Sequence, residues 1–353
     1  MMRFLNIYYL SIIFFLHDSN CPCKGQTPVN DLNWILDTSK SDEFNSSKIN
    51  TSKWHLLDCP SGDCCNWGGG TAFEKGNASD SGGMLRLRTD GPGYAPIPCN
   101  RETYATAGIA SDSANYSYGY YELYARLPGF YSNGSPCAGK FQPSLWMQYV
   151  QSDSSCQIVH NEIDPMIPGP LYTNASTDNS GWSYQDGKCG AYTVGQVQFN
   201  SPVPLFAAFH KYALEWNTNK IIFYFDDVPF GEFYNSPTMT MHPMFLYIEE
   251  GLADTTYPFC LNTPFPQYYS VDYFRYYKLN LDCNTSTTLL TNADLSAYIF
   301  SVKSDITFGN GTDSISLNST DVKYFRAANT ITINGTFTAP LGSELGLIPT
   351  ACH

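Results

Sequence analysis

The stretch Asn161-Glu162-Ile163-Asp164-Pro165-Met166-Ile167 has the residue types and spacing to do chemistry. In an extended strand, residues two apart share a face, so Glu162 and Asp164 point one way and Ile163 the other. Two carboxyls on one face raise each other's proton affinity. That suits attack on a sugar by one acid while its neighbour tunes it. Two acids on an exposed strand edge would read the same way, so the triplet alone does not separate the two readings.

Other residues could assist. His160 lies two before Glu162 and shares its face if the strand is regular, although a structural histidine reads the same. Glu249 and Glu250 end an apolar run, Phe245 to Ile248, and alternation turns one of them toward any cleft that the strand crosses. His210, beside a hairpin, is expected to be structural. Sugar rings present flat C–H faces that stack on Trp and Tyr. Trp146, Trp182 and Tyr184 are therefore the candidate platforms. Trp146 is equally compatible with a core position, whereas Trp182 and Tyr184, between Gly181 and Gly187, are expected in a loop. Glu249 joins them as a substrate-binding candidate.

These residues need strands to position them, and the rest of the chain supplies strands. The 353 residues are rich in Tyr, Phe, Thr, Ser, Gly and Pro, only 14% are charged, and no long segment keeps a helical period. Met84 to Arg88 alternates as a half-buried strand should. Gly119 to Leu127 is a second strand, stopped by Pro128-Gly129. Tyr212 to Trp216 and Ile221 to Phe225 flank the turn residues Asn217 to Lys220, a hairpin signal. Met244 to Ile248 and Val271 to Leu279 are further strands. Many antiparallel strands without intervening helices indicate an all-β sandwich.

Composition changes after Cys283. Asn284 to Asn292 reads as a Thr- and Ser-rich linker, followed by a small β module of about sixty residues. At the other end, Arg3 and the apolar run Phe4 to Leu16 read as an export signal, too short for a comfortable bilayer span. The expected division is thus a signal peptide at 1–26, a main domain at 27–283, and a linker with module at 284–353. Signal removal leaves ten cysteines, at 59, 64, 65, 99, 137, 156, 189, 260, 283 and 352, an even number that suggests disulfides in a secreted protein. Adjacent Cys64-Cys65 and the lack of paired Cys-x-x-Cys motifs speak against zinc. No metal or other cofactor is expected; a structural calcium is not indicated by the sequence but is left open by it. A net charge of −13 argues against a nucleic-acid partner and fits a neutral ligand such as a polysaccharide.

Five ordered blocks between residues 41 and 279 resemble glycoside hydrolase family 16, the laminarinase- and lichenase-like β-glucanases. They are Asp42-Glu43-Phe44-Asn45 with Lys53-Trp54; Tyr104 to Gly108 with Tyr118 to Glu122; Pro143 to Met147 leading to Glu162-Ile163-Asp164; Phe209 to Trp216 running into Phe223 to Asp227; and Val271 to Tyr277. The resemblance implies a concanavalin A-like jelly roll with a concave cleft for a β-glucan; a monomer is expected, with no membrane partner once the signal is removed, because no other segment could span one. It also implies retaining hydrolysis of β-1,3- or β-1,3-1,4-glucan, with Glu162 as nucleophile and Asp164 as its helper. The family motif carries a third member, Glu-x-Asp-x-Glu, or Glu-x-Asp-x-x-Glu with a bulge. Here that place falls on Met166 or Ile167, and neither donates a proton. Two functions follow: an impaired glycosidase, or a carbohydrate-binding protein on the same fold. A surface structural or adhesive protein would account for the module and disulfides but for none of the cleft residues.

Overall fold

Leu85–Thr89 alternates buried and half-buried residues along its whole length, and this period-2 pattern recurs through most of the chain. The computed structural model describes residues 27–58, 71–93, 104–137, 141–153, 157–166, 182–188, 191–197, 201, 203–217, 220–234, 242–252 and 262–352; for 150–153, 157–160, 182–188 and 191–197 it describes the backbone alone. The signal segment and Cys59, Cys64, Cys65, Cys99, Cys156, Cys189 and Cys260 lie outside the described residues.

The larger unit spans Ile35–Lys278. Seven strands form the sheet that carries the site: β1 (Trp54–Leu56), β2 (Gly108–Ser111), β3 (Phe141–Asp153), β4 (Gln157–Met166), β5 (Trp182–Lys188), β6 (Ala191–Val197) and β7 (Phe245–Leu252). Their spatial order is β6-β5-β4-β3-β7-β2-β1, antiparallel throughout. The opposing sheet runs Val228–Tyr234, Lys220–Phe225, His210–Trp216, Gly119–Arg126, Gln267–Leu279, Leu85–Thr89, Ala78–Asp80. One apolar cluster fills the space between them. Leu145, Met147, Ile163, Leu246 and Ile248 come from one side, and Leu87, Leu123, Leu214, Phe223 and Phe274 from the other. The expected all-β sandwich is the fold.

Local chemistry explains particular features. In the hairpin, Asn217 N–H donates to Lys220 C=O at 3.0 Å and Lys220 N–H to the Asn217 side chain at 2.9 Å. Asp226 and Asp227, in left-handed conformation at φ 46° and 67°, make the next turn. The Asp42 carboxylate accepts from the Trp54 indole at 2.8 Å and from Phe44 N–H at 3.0 Å, which holds the opening segment against the core.

The smaller unit joins residues 27–34 to 279–352. Its parallel strands Thr287–Leu289, Val302–Phe308, Val322–Ile333 and Glu344–Pro349 stack side by side. Two expectations are corrected here. The 284–292 segment is no linker, because Thr287–Leu289 pairs with Val302–Phe308 and Thr291 caps the short helix Asn292–Ala297. Residues 27–34, expected in the main domain, belong to this unit: the Arg326 guanidinium donates to Asp31 Oδ2 at 2.8 and 2.7 Å, and Asn33 Nδ2 to Tyr324 C=O at 2.8 Å. Cys283 and Cys352 form a disulfide within the same unit, and Cys137 of the larger unit is also disulfide-bonded.

Candidate functional site

Glu162 stands opposite Gln148 of β3, whose Nε2 donates to Glu162 Oε2 at 3.3 Å. Ile163, opposite Met147, is sealed in the core, so Glu162 and the buried Asp164 share the outer face of the sheet. The register then shifts. Leu145 faces Met166 and Met147 faces Ile163, which leaves Asp164 and Pro165 together opposite Trp146. This is a β-bulge. It removes a conflict in the sequence, because a proline costs no ladder hydrogen bond where the ladder is already interrupted. It also turns Met166 inward, fully buried in the apolar cluster. Of the two positions open to the third motif member, Met166 is therefore a core residue. The bulged spacing leaves Ile167, which lies outside the described residues.

β7 resolves the paired glutamates. Tyr247 faces Trp146 and Glu249 faces Ser144, so both lie on the outer face, while Leu246, Ile248 and Leu252 fill the core. Glu250 falls on the core side with them, at 0% exposure, with no side-chain hydrogen-bond partner among the described residues. Burial pushes its pKa well above the usual carboxylate range; the Gln142 backbone N–H pulls it down, and the Glu249 charge raises it further. Glu249 is 7% exposed, and burial pushes its carboxyl up to about 7, the Trp146 indole opposing the shift. Glu249 is not a partner carboxyl for Glu162. It sits two strands over from Glu162 and four residues further along β3, ~16 Å between Cα atoms at ordinary strand spacing. A retaining pair needs its carboxyls ~5–5.5 Å apart.

Trp146 is an outer-face residue, stacked on Tyr247 with ring centroids 4.4 Å apart and planes at 18°. Trp182 and Tyr184 lie in β5 rather than a loop, because two hairpin partners, β4 and β6, pair along this stretch despite its glycines. In that register Tyr184 is opposite Ile163, while Gln185 and Ser183 are opposite Glu162 and Asp164. His160 is in β4, where the backbone alone is described. His210 is structural: its Nδ1 pairs with Asp226 Oδ2 at 2.8 Å and its ring stacks on Phe225. Sequence reasoning passed over Gln148, Ser144 and Tyr247. The alternation of Ser144, Trp146 and Gln148 with Leu145 and Met147 was the available signal. Beyond Tyr247 the floor continues into a hollow of about 280 Å³ against His55, Ala110, Asp112 and Phe245. Among the described residues, no group of three or more His, Cys, Asp or Glu converges to hold a metal ion.

The model of glycosyl hydrolases family 16 matches residues 65–255. A glucan endo-1,3-beta-glucosidase from Cryptopygus antarcticus is 25% identical over 209 residues, covering 55% of this chain and 67% of that protein. The fold is shared with solved structures. A β-porphyranase from Bacteroides plebeius gives a TM-score of 0.53 at 21% identity, covering 70% of this chain and 92% of that one. A κ-carrageenase from Pseudoalteromonas carrageenovora gives 0.53 at 22%, covering 69% and 94%. A laminarinase catalytic domain from Thermotoga petrophila gives 0.50 at 19%, covering 70% and 98%.

Proposed function

The chain belongs to glycosyl hydrolases family 16, and from that membership we propose that it is an exported protein acting on O-glycosidic bonds of a neutral β-glucan. Glu162 is the attacking carboxylate and Asp164 tunes it. The observation that carries this reading is that both acids share the outer face of β4 at a bulge, with Gln148 holding Glu162. The relative named as a glucan endo-1,3-beta-glucosidase supports the β-1,3 linkage, with mixed β-1,3-1,4 linkage as the second choice. Among the described residues, the floor rows of β4, β3 and β7 carry carboxyls and no Lys or Arg. This disfavours sulfated galactans such as the galactose-4-sulfate polymer named for one structural neighbour. The apolar run Phe4 to Leu16 and the disulfide-bonded cysteines support export.

In a retaining reaction, the Glu162 carboxylate bonds to the anomeric carbon as the glycosidic C–O bond breaks, and the leaving oxygen takes the electron pair and needs a proton. With Ile167 at the acid position, that proton comes from no carboxyl of the motif. General acid catalysis is worth ~10²–10⁴-fold, so natural glucan is cleaved slowly and substrates with activated leaving groups escape the defect. The test is mass spectrometry after incubation with a 2-fluoro, dinitrophenyl-activated β-glucan oligomer. A covalent adduct on Glu162 is expected. No adduct, together with retention on a glucan affinity gel, would replace this reading with a non-catalytic carbohydrate-binding protein. That second reading draws on the inward turn of Met166.

A further inference from the structure

Two Asn-x-Ser/Thr sequences, one in each unit, hold their asparagine in the same way. In Asn50-Thr51-Ser52 the side-chain oxygen of Asn50 accepts from Ser52 N–H at 3.0 Å and from Ser52 Oγ at 2.7 Å. In Asn310-Gly311-Thr312 the Asn310 oxygen accepts from Thr312 N–H at 3.2 Å and from Thr312 Oγ1 at 3.0 Å. Each is an Asx turn, closed by the hydroxyl residue that completes the sequence pattern. The backbone at each turn is tied down as well. The Asn50 carbonyl accepts from Lys53 N–H and Trp54 N–H, both at 3.0 Å, and Gly311 N–H donates to the Asn334 carbonyl at 2.7 Å. Both asparagines are exposed, and neither Nδ2 has a partner among the described residues. Asn77-Ala78-Ser79 is the opposite case. Asn77 is 3% exposed; its Nδ2 donates to Asp90 Oδ2 at 3.0 Å and to Ala105 C=O at 3.5 Å, and its oxygen accepts from Arg88 at 2.6 Å.

We propose that Asn50 and Asn310 carry N-linked glycans in the exported protein, whereas Asn77 stays bare. The inference rests on the export part of the reading above and not on its glucan chemistry. Asn-x-Ser/Thr is the acceptor pattern for N-glycosylation, and the attached glycan is bulky and polar and needs a surface position. In the transfer, Asn Nδ2 bonds to the anomeric carbon of an oligosaccharide carried on a lipid diphosphate. The bond from that carbon to the diphosphate oxygen breaks, the diphosphate leaves with the electron pair, and it takes up the proton that the amide gives up. Only one N–H is consumed, so the bonds to Asn50 Oδ1 and Asn310 Oδ1 survive and both turns persist under the glycan. At Asn77 the same substitution would displace a buried donor from Asp90 and force a polar sugar into the interior.

The experiment is a peptide map of residues 27–353 secreted from a yeast behind the host's own leader. A peptide-N-glycan amidase in heavy-oxygen water leaves labelled Asp wherever a glycan stood, and a digest without the amidase reads spontaneous deamidation at Asn310-Gly311. Label is expected at Asn50 and Asn310 and not at Asn77. Asn50→Gln, Asn310→Gln and Thr312→Ala should each remove one glycan step from the gel mobility, and Thr312→Ser should keep it. Melting curves of the variants should match the parent once the glycans are removed. Asn50 or Asn310 unlabelled in the yeast protein, or in the protein that its own source secretes, overturns the proposal, as does label at Asn77 in folded protein. A source that retains the chain inside the cell faults the export reading instead, and the yeast map still decides the sites.

Discussion

Replacing Glu250 with leucine should make the protein more stable, and the gain should grow with pH. The side chain is at 0% exposure among Leu246, Ile248 and Leu252; among the described residues its carboxyl meets no side-chain donor, only the Gln142 backbone N–H. An unsatisfied buried polar group costs ~1–3 kcal/mol, and a leucine there contributes part of the ~1.5–3 kcal/mol of a buried aliphatic side chain. A net gain of ~2 kcal/mol near neutral pH is expected, equivalent to a rise in melting temperature of ~4–8 °C for a unit of this size. The sign with pH follows from the raised folded-state pKa. Below the ordinary value of 4.5 both folded and unfolded chains hold the proton. Above it the unfolded carboxyl ionises freely while the folded one resists. The wild type therefore loses ~1.4 kcal/mol per pH unit until the folded group ionises, and Glu250→Leu escapes that slope. Urea or thermal melts of both proteins at pH 4.5, 6 and 7.5 check this. A variant no more stable than wild type at pH 7.5, or a gain identical at all three values, would refute the description of Glu250 as an unpaired core acid.

Three other outcomes are expected. Arg326→Met should destabilise the smaller unit by ~3–5 kcal/mol, because Asp31, at 0% exposure, would lose the guanidinium that pairs with it; urea melts compare it with Asp31→Leu/Arg326→Met, which should recover most of the loss. Reduction should lower the melting temperature, since a native bridge such as Cys283–Cys352 contributes ~2–4 kcal/mol; equal melting curves with and without reductant would contradict this. A fragment of residues 35–278 should unfold cooperatively by itself, whereas deleting only 284–353 strips Asp31, Asn33 and Trp34 of their contacts with Tyr324 and Arg326; calorimetry of the two fragments distinguishes them.

What could be read from the sequence was what depends on local period and turn chemistry. The strands at Leu85–Thr89 and Gly119–Arg126, the Asn217 hairpin and the shared face of Glu162 and Asp164 all follow from alternation within a few residues. What escaped depends on register. Alternation says that one of Glu249 and Glu250 faces outward, and only the pairing of Ser144 with Glu249 says which. A Thr-rich stretch looks like a linker until a parallel neighbour satisfies its backbone. The Asp31–Arg326 pair joins residues 295 positions apart, and neither position carries a local signal of the other.

The bulge has the largest consequence, because it decides where an acid could be restored. A strictly alternating strand would turn Met166 to the same side as Glu162 and Asp164, making Met166→Glu the natural repair. The extra residue at Asp164-Pro165 reverses this, pairing Met166 with Leu145 inside the apolar cluster. Met166→Glu should therefore bury a carboxyl among Leu145, Ile163 and Ile248, destabilise the protein by several kcal/mol, and yield no gain in hydrolysis. Ile167→Glu follows the bulged motif and should raise laminarin cleavage by ~10²–10⁴-fold, provided that Glu162 is intact. The assay is reducing-sugar release by both variants and by Ile167→Glu combined with Glu162→Gln, with melting curves alongside. Activity recovered by Met166→Glu, or recovered by Ile167→Glu without Glu162, would mean that the bulge does not set the geometry of this site.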